Sequence, residues 1–111
     1  MLITIVELPE YIRRADKILT ADERSKLLYY LSENPEAGVV LKGTGGIRKL
    51  RWSSKGNGKS GGSRVIYFYY NTTLPLFLLT IFNKNEKINL SKSERNELAQ
   101  LADVLVNNYK R

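Results

Sequence analysis

Hydrophobic positions follow one rhythm at the two ends of this chain and another in its middle. Near both ends, apolar residues recur every three to four positions, as on one face of a helix; between residues 47 and 82 they alternate or run on unbroken, as in strands. Leu2 to Val6 is a short β-branched run and predicts a strand. Pro9 then stands where a helix can begin, because its missing N–H costs nothing there. Tyr11, Ile12, Ala15, Ile18 and Leu19 recur at helical spacing through 9–19. Thr20, with Glu23 three residues on, makes a capping box for a second helix, to which Leu27, Leu28 and Leu31 give an apolar face. ENPEAG (33–38) stops it, since Pro35 disfavours helix at Asn34.

The eight glycines all fall between residues 38 and 62, and the pattern changes there. GTGG (43–46) predicts a turn into IRKLRW (47–52), where polar and apolar residues alternate as in a half-buried strand. SRVIYFYY (63–70) and LPLFLLTIF (74–82) complete a three-stranded meander, with Pro75 tolerable only near a strand start or at an edge. Ser91 and Glu94 form a second capping box, and Leu98, Leu101, Ala102 and Leu105 line one face of a last helix. The order β-α-α-β-β-β-α predicts a single α+β domain over residues 1–111, with helices packed on one face of a mostly antiparallel sheet.

Composition narrows the chemistry. Without cysteine there is no disulfide or thiolate metal site, and without histidine the commonest acid–base catalyst and metal ligand is gone. The first residues have no basic region before their short apolar run, and the longest apolar stretch is too short for a bilayer, so a cytoplasmic chain with no membrane partner is expected. The net charge of +7 is unevenly spread. Between Ala37 and Asn85 there is no aspartate or glutamate, while Lys42, Arg48, Lys49, Arg51, Lys55, Lys59, Arg64 and Lys84 supply eight cations. The whole basic excess therefore lies in one segment, which is the footprint of a polyanion partner rather than of scattered surface lysines.

Within that segment, GNGKS (56–60) imitates the end of a phosphate-binding loop. The first glycine of that motif would fall on Ser53, and the loop leads into a strand, whereas a true phosphate loop opens a helix whose amides hold the phosphates. A nucleotide site is excluded. The stretch is a long hairpin connection, either a bare tip or a basic flap in which Lys55 and Lys59 touch a nucleic-acid backbone.

KLRW (49–52) is more informative. On a strand Lys49 and Arg51 share one face, and Leu50 and Trp52 share the other. If Leu50 and Trp52 face the helices, the two cations stand on the open side, and Arg64 on the next strand can join them. Trp52 reads as a core residue rather than a base-stacking one.

The element order, with GTGGIRKLRWSSKGNGKSGGSRVIYFYY followed by LLTIFNKNE, resembles the RelE/ParE superfamily of type II toxin–antitoxin toxins, and most of all its HigB-like branch. The resemblance implies a RelE-like fold and a ribosome-dependent mRNA endonuclease that cuts the codon in the A site. It also implies a cognate antitoxin that neutralises the toxin, with operator DNA bound only through the toxin–antitoxin complex. The family's basic strand residues fall on Lys49 and Arg51, its phosphate-contacting arginine on Arg64, and its cluster after the last strand on Lys84 and Asn85. RelE itself has an arginine at the position of Asn85 and a tyrosine a few residues on, near Leu90, and some HigB toxins use histidines that this chain lacks.

Such a site needs neither metal nor cofactor, because RNA carries its own nucleophile in the 2′-OH. Lys49, crowded by Arg51 and Arg64, is the general-base candidate; Arg51 and Arg64 would hold the phosphate, and Lys84 would assist the leaving group. Arg48, Lys55, Lys59 and Asn85 are candidate RNA contacts. A gyrase inhibitor of the ParE type and a non-enzymatic nucleic-acid-binding module are the alternatives, because one fold supports several activities.

Overall fold

The structure, a computed structural model, describes residues 3–54, 62–87 and 89–109. Strand β1 (Ile5–Glu7) leads into α1 (Pro9–Ile18), with the proline in its first turn as expected. Helix α2 (Ala21–Glu33) is opened by the anticipated box: the Glu23 amide donates to Thr20 Oγ1 at 3.1 Å, and the Thr20 amide donates to Glu23 Oε1 at 2.9 Å. Then come β2 (Val39–Val40), β3 (Ile47–Trp52), β4 (Ser63–Phe68), β5 (Leu76–Asn83) and α3 (Lys92–Tyr109). The Ser91–Glu94 box opens α3 in the same reciprocal way, at 2.8 and 3.1 Å.

The strands form one sheet in the order β1-β5-β4-β3-β2; β1 runs parallel to β5 and every other pair is antiparallel. Strand β5 is thus interior. Pro75 precedes its first residue, so no ladder bond is lost. The meander of β3, β4 and β5 is the one expected; β2 is an addition, two residues that pair Val39 with Lys49 and Val40 with Arg48.

Both faces of the sheet are covered, which corrects the expectation that the helices share one face. Tyr11, Ala15 and Ile18 of α1 and Leu27 and Leu31 of α2 pack on Trp52, Val65, Tyr67, Leu76, Leu78 and Ile81. On the other side Ala102, Leu98, Leu101 and Leu105 of α3 pack on Ile47, Ile66, Phe68, Phe77, Leu79 and Phe82. The strand sequences carry the reason. From Val65 to Phe68 and from Leu76 to Phe82 every residue is buried, and an unbroken buried run belongs to a strand covered on both sides. Ile66 pairs with Thr80 and Tyr67 with Leu78, so Leu79 is an extra residue that reverses the facing of β5 at that point. Ile12, expected on the apolar face of α1, is 38% exposed.

Candidate nucleic-acid interface

Strand β3 keeps the alternation its sequence predicts. Leu50 and Trp52 lie on the α1/α2 side, where the Trp52 indole donates to the Glu23 carbonyl at 3.1 Å, so this tryptophan is a core residue. Lys49 and Arg51 lie on the α3 side with Ile47. Helix α3 covers the Ile47 end of that face and leaves Arg51 exposed.

Register brings the cations together. Arg51 sits directly opposite Arg64, and Lys49 opposite Ile66, two pairs further along the same ladder and so on the same face. Directly opposed like charges destabilise a strand pair, so nothing in the sheet's own stability calls for this arrangement. Among the described residues none of Lys49, Arg51, Arg64 and Lys84 pairs with a carboxylate, whereas Arg14, Arg24 and Arg48 all do. Arg64 Nη1 donates to the neighbouring Ser63 carbonyl at 3.2 Å, and Lys49 Nζ donates to Asn89 Oδ1 at 2.8 Å.

Lys84 and Asn85 are exposed in the turn that follows β5. The Lys84 amide donates to the Gly62 carbonyl at 3.2 Å, which sets this turn beside the start of β4 and thus beside Arg64. Gly62 itself is hemmed in: a Cβ there would lie 2.6 Å from the Ser54 amide nitrogen and 2.7 Å from the Trp52 carbonyl oxygen. Only glycine allows the two roots of the 53–62 connection to close so tightly. Lys55 and Lys59, the candidates on that connection, lie outside the described residues.

Arg48 does not belong to this surface. Its register partner is Tyr67, on the α1/α2 side, and its guanidinium donates to the Glu36 and Gly38 carbonyls at 3.0 and 2.8 Å. The Tyr67 hydroxyl closes the same knot, donating to Pro35 O at 2.9 Å and accepting from the Gly38 amide at 2.8 Å. Burial pushes the Tyr67 hydroxyl pKa up, so it stays a donor. A Cβ at Gly38 would come within 2.9 Å of the Tyr67 ring. Arg48 fastens the α2–β2 connection, and the structure does not bring it together with Lys49, Arg51 and Arg64.

Other residues around the site have no forewarning in the sequence pattern. Asn89 Oδ1 accepts from Lys49 Nζ, and Lys87 lies over the Phe82 ring at 5.4 Å while pairing with Glu94. Hydrogen bonding from Lys87, then from the Ser91 amide, holds the Glu94 carboxyl below its ordinary value. Glu86, in the same turn as Lys84, accepts from the Asn83 amide at 3.0 Å and pairs with Arg14 at 2.8 Å. Chiefly through that amide bond, its carboxyl is also held below its ordinary value. A cleft of about 360 Å³ between Arg14, Phe82, Lys87, Glu94 and Leu101 adjoins the cationic end of the face. Among the described residues no cluster of three or more histidine, cysteine, aspartate or glutamate side chains forms a metal-ligand set. No helix among them is long and apolar enough to cross a membrane.

A sheet end that gathers cations and, among the described residues, leaves them without carboxylates suits a phosphate diester, since planar guanidinium groups match phosphate oxygens. In structure, the chain is similar to the E. coli toxin RelE, solved as a double arginine-to-alanine mutant in the free state, with a TM-score of 0.61 and 20% sequence identity. That superposition covers 87% of this chain and 97% of the other, and it establishes the shared fold. The family profile described as the RelE toxin of the RelE/RelB toxin–antitoxin system matches residues 31–111, which include all of the sheet except β1 and every candidate residue. The chain therefore belongs to the RelE family of toxins from toxin–antitoxin systems.

Proposed function

We propose that this toxin is an endoribonuclease that cuts mRNA in the ribosomal A site, with Lys49, Arg51, Arg64 and Lys84 as its working residues. Family membership implies an antitoxin partner of the RelB type. The observation that carries the nuclease reading is the pair of Arg51 and Arg64, without a carboxylate partner among the described residues and opposed in register with Lys49 two pairs away on the same face.

In this reading Arg51 and Arg64 hold the non-bridging oxygens of the scissile phosphate and offset the charge that grows on them in the transition state. The Lys49 amine takes the 2′-OH proton, the 2′-oxygen attacks phosphorus, and the bond from phosphorus to the 5′-oxygen breaks. Lys84 delivers a proton to that departing oxygen, leaving a 2′,3′-cyclic phosphate and a 5′-OH. Asn85, Lys55 and Lys59 contact flanking phosphates, which position the strand without reading its sequence. These are modest catalysts, so alignment of the 2′-OH falls to the ribosome-held codon, and free RNA is cut negligibly.

Primer extension on a translated and an untranslated copy of one mRNA, after induction of the chain in bacteria, tests this reading. Cuts within codons on the translated copy alone support it. Growth arrest without cuts, accompanied by altered DNA supercoiling, replaces it with a gyrase inhibitor; cuts on both copies remove the ribosome from the mechanism.

A further inference from the structure

We infer that Arg14 and Glu86 are positioning residues, an ion pair that fixes the turn carrying Lys84 and Asn85 at the edge of the phosphate site. The inference rests on the nuclease reading above for its effect on cleavage, but not for the geometry.

The outer edge of β5 is where the need arises. Strand β1 pairs with β5 only from Leu76 to Leu78, and the Leu8 amide reaches the Leu78 carbonyl at 3.1 Å; there β1's cover ends. The Ile81 carbonyl lies beyond it and takes its donor from a side chain instead, Arg14 Nε at 2.6 Å. The same guanidinium then reaches Glu86, with Nη2 at 2.8 Å from each carboxylate oxygen. Glu86 Oε1 in turn accepts the Asn83 amide at 3.0 Å, and the Glu86 amide donates back to the Asn83 carbonyl at 3.0 Å.

The turn is therefore tied at its last residue to a helix on the far side of the sheet. Arg14 and Glu86 are 29% and 41% exposed, and a simple surface ion pair of that kind contributes little. This pair does more than meet across solvent, because each partner also bonds the backbone of β5 or its turn. Lys84 and Asn85 lie between the two tethered residues, Asn83 and Glu86, and the Lys84 amide itself makes the Gly62 contact. A long, exposed side chain such as Lys84 delivers a proton to one oxygen only if its backbone is held, and small misplacements of a catalytic group cost large factors in rate.

A double-mutant cycle with cleavage on translating ribosomes decides the point. If Glu86 acts through Lys84, Glu86→Ala lowers the single-turnover rate by about 10- to 100-fold, close to the loss in Lys84→Ala. The double variant is then no slower than Lys84→Ala alone, and the ribosome concentration for half-maximal rate changes by less than about twofold. Glu86→Gln, which keeps the acceptor for Asn83, falls between wild type and Glu86→Ala. Multiplying losses in the double variant, or full activity in Glu86→Ala, overturns the proposal. Amide hydrogen exchange at Asn83, Lys84 and Glu86 provides a readout free of the nuclease reading: faster exchange there in Glu86→Ala and Arg14→Ala supports the tether, and unchanged protection refutes it. If the wild-type chain cuts nothing, the nuclease reading fails and the exchange measurement still decides the tether.

Discussion

Along the α3 side of the sheet, one end is apolar and sealed and the other is cationic and open. At the first end Ile47, Ile66, Phe68 and Phe77 are buried beneath α3, and the nearby charge of Arg95 finds the Lys42 carbonyl at 3.1 Å. At the other end Arg51 faces Arg64 without a carboxylate among the described residues, although Glu86 is only two residues from Lys84 and is taken by Arg14. Strand β3 runs through both ends and shows a second contrast across its thickness. Arg48 is largely enclosed, with its Nη1 on two carbonyls, while Arg51, three residues on, stands in solvent. Where the protein needs only to fold, charges are answered; at the proposed polyanion site they are left open, which under that proposal is local stability given up for function.

The sharpest way to break this contrast is to remove the open cations. Lys49→Ala and Arg64→Ala are expected to lower cleavage of translated mRNA by at least about 100-fold, with unfolding free energies within about 0.5 kcal/mol of wild type. Primer extension and a urea melt measure the two quantities. Wild-type cleavage in both variants would sink the assignment.

Arg48→Ala should do the reverse. Loss of charge-assisted bonds to two carbonyls is expected to cost about 2 kcal/mol in a urea melt, while cleavage per folded molecule stays near wild type. A variant that folds as well as wild type but fails to cleave would return Arg48 to the interface.

A smaller effect separates function from stability within one substitution. Arg51→Glu places opposite charges across the ladder and is expected to raise stability by about 0.5 kcal/mol while abolishing cleavage. An unfolding midpoint below wild type would show that Arg51 and Arg64 are not mutually repulsive in the folded chain.

The smallest effect concerns acid. The Glu86 carboxyl is held below its ordinary value of 4.5, so the stability it contributes is present above pH 4.5 and is lost as pH falls through the lower folded value. Glu86→Gln is therefore expected to be less stable than wild type at pH 7, with the gap narrowing below about pH 4.5. Denaturant melts at the two pH values measure it, and a gap independent of pH would remove the carboxylate from the account.

Much of the fold is legible because its signals are local. The two capping boxes, the proline at the start of α1 and the alternation of β3 each depend on residues a few positions apart, and each stands as read. The unbroken apolar runs of β4 and β5 also announce a sheet covered on both faces, a signal that the one-sided prediction passed over. Strand β2 had no such signal: two valines become a strand only because β3 offers them an edge. The site divides in the same way. Alternation places Lys49 with Arg51 and separates both from Arg48, but the contacts Lys49–Asn89, Arg14–Ile81 and Arg14–Glu86 span 40, 67 and 72 residues. No periodicity reaches that far.

The sequence by itself determined the helices, the meander, the parity of β3 and the confinement of positive charge to one segment, because each follows from neighbours along the chain. Only the tertiary structure decided that Arg51 meets Arg64, that α3 seals one half of a face and leaves the other open, and that Arg14 holds the turn of Lys84. Those outcomes depend on strand register and on helices closing over the sheet from both sides, which join residues whose separation along the chain carries no local signal.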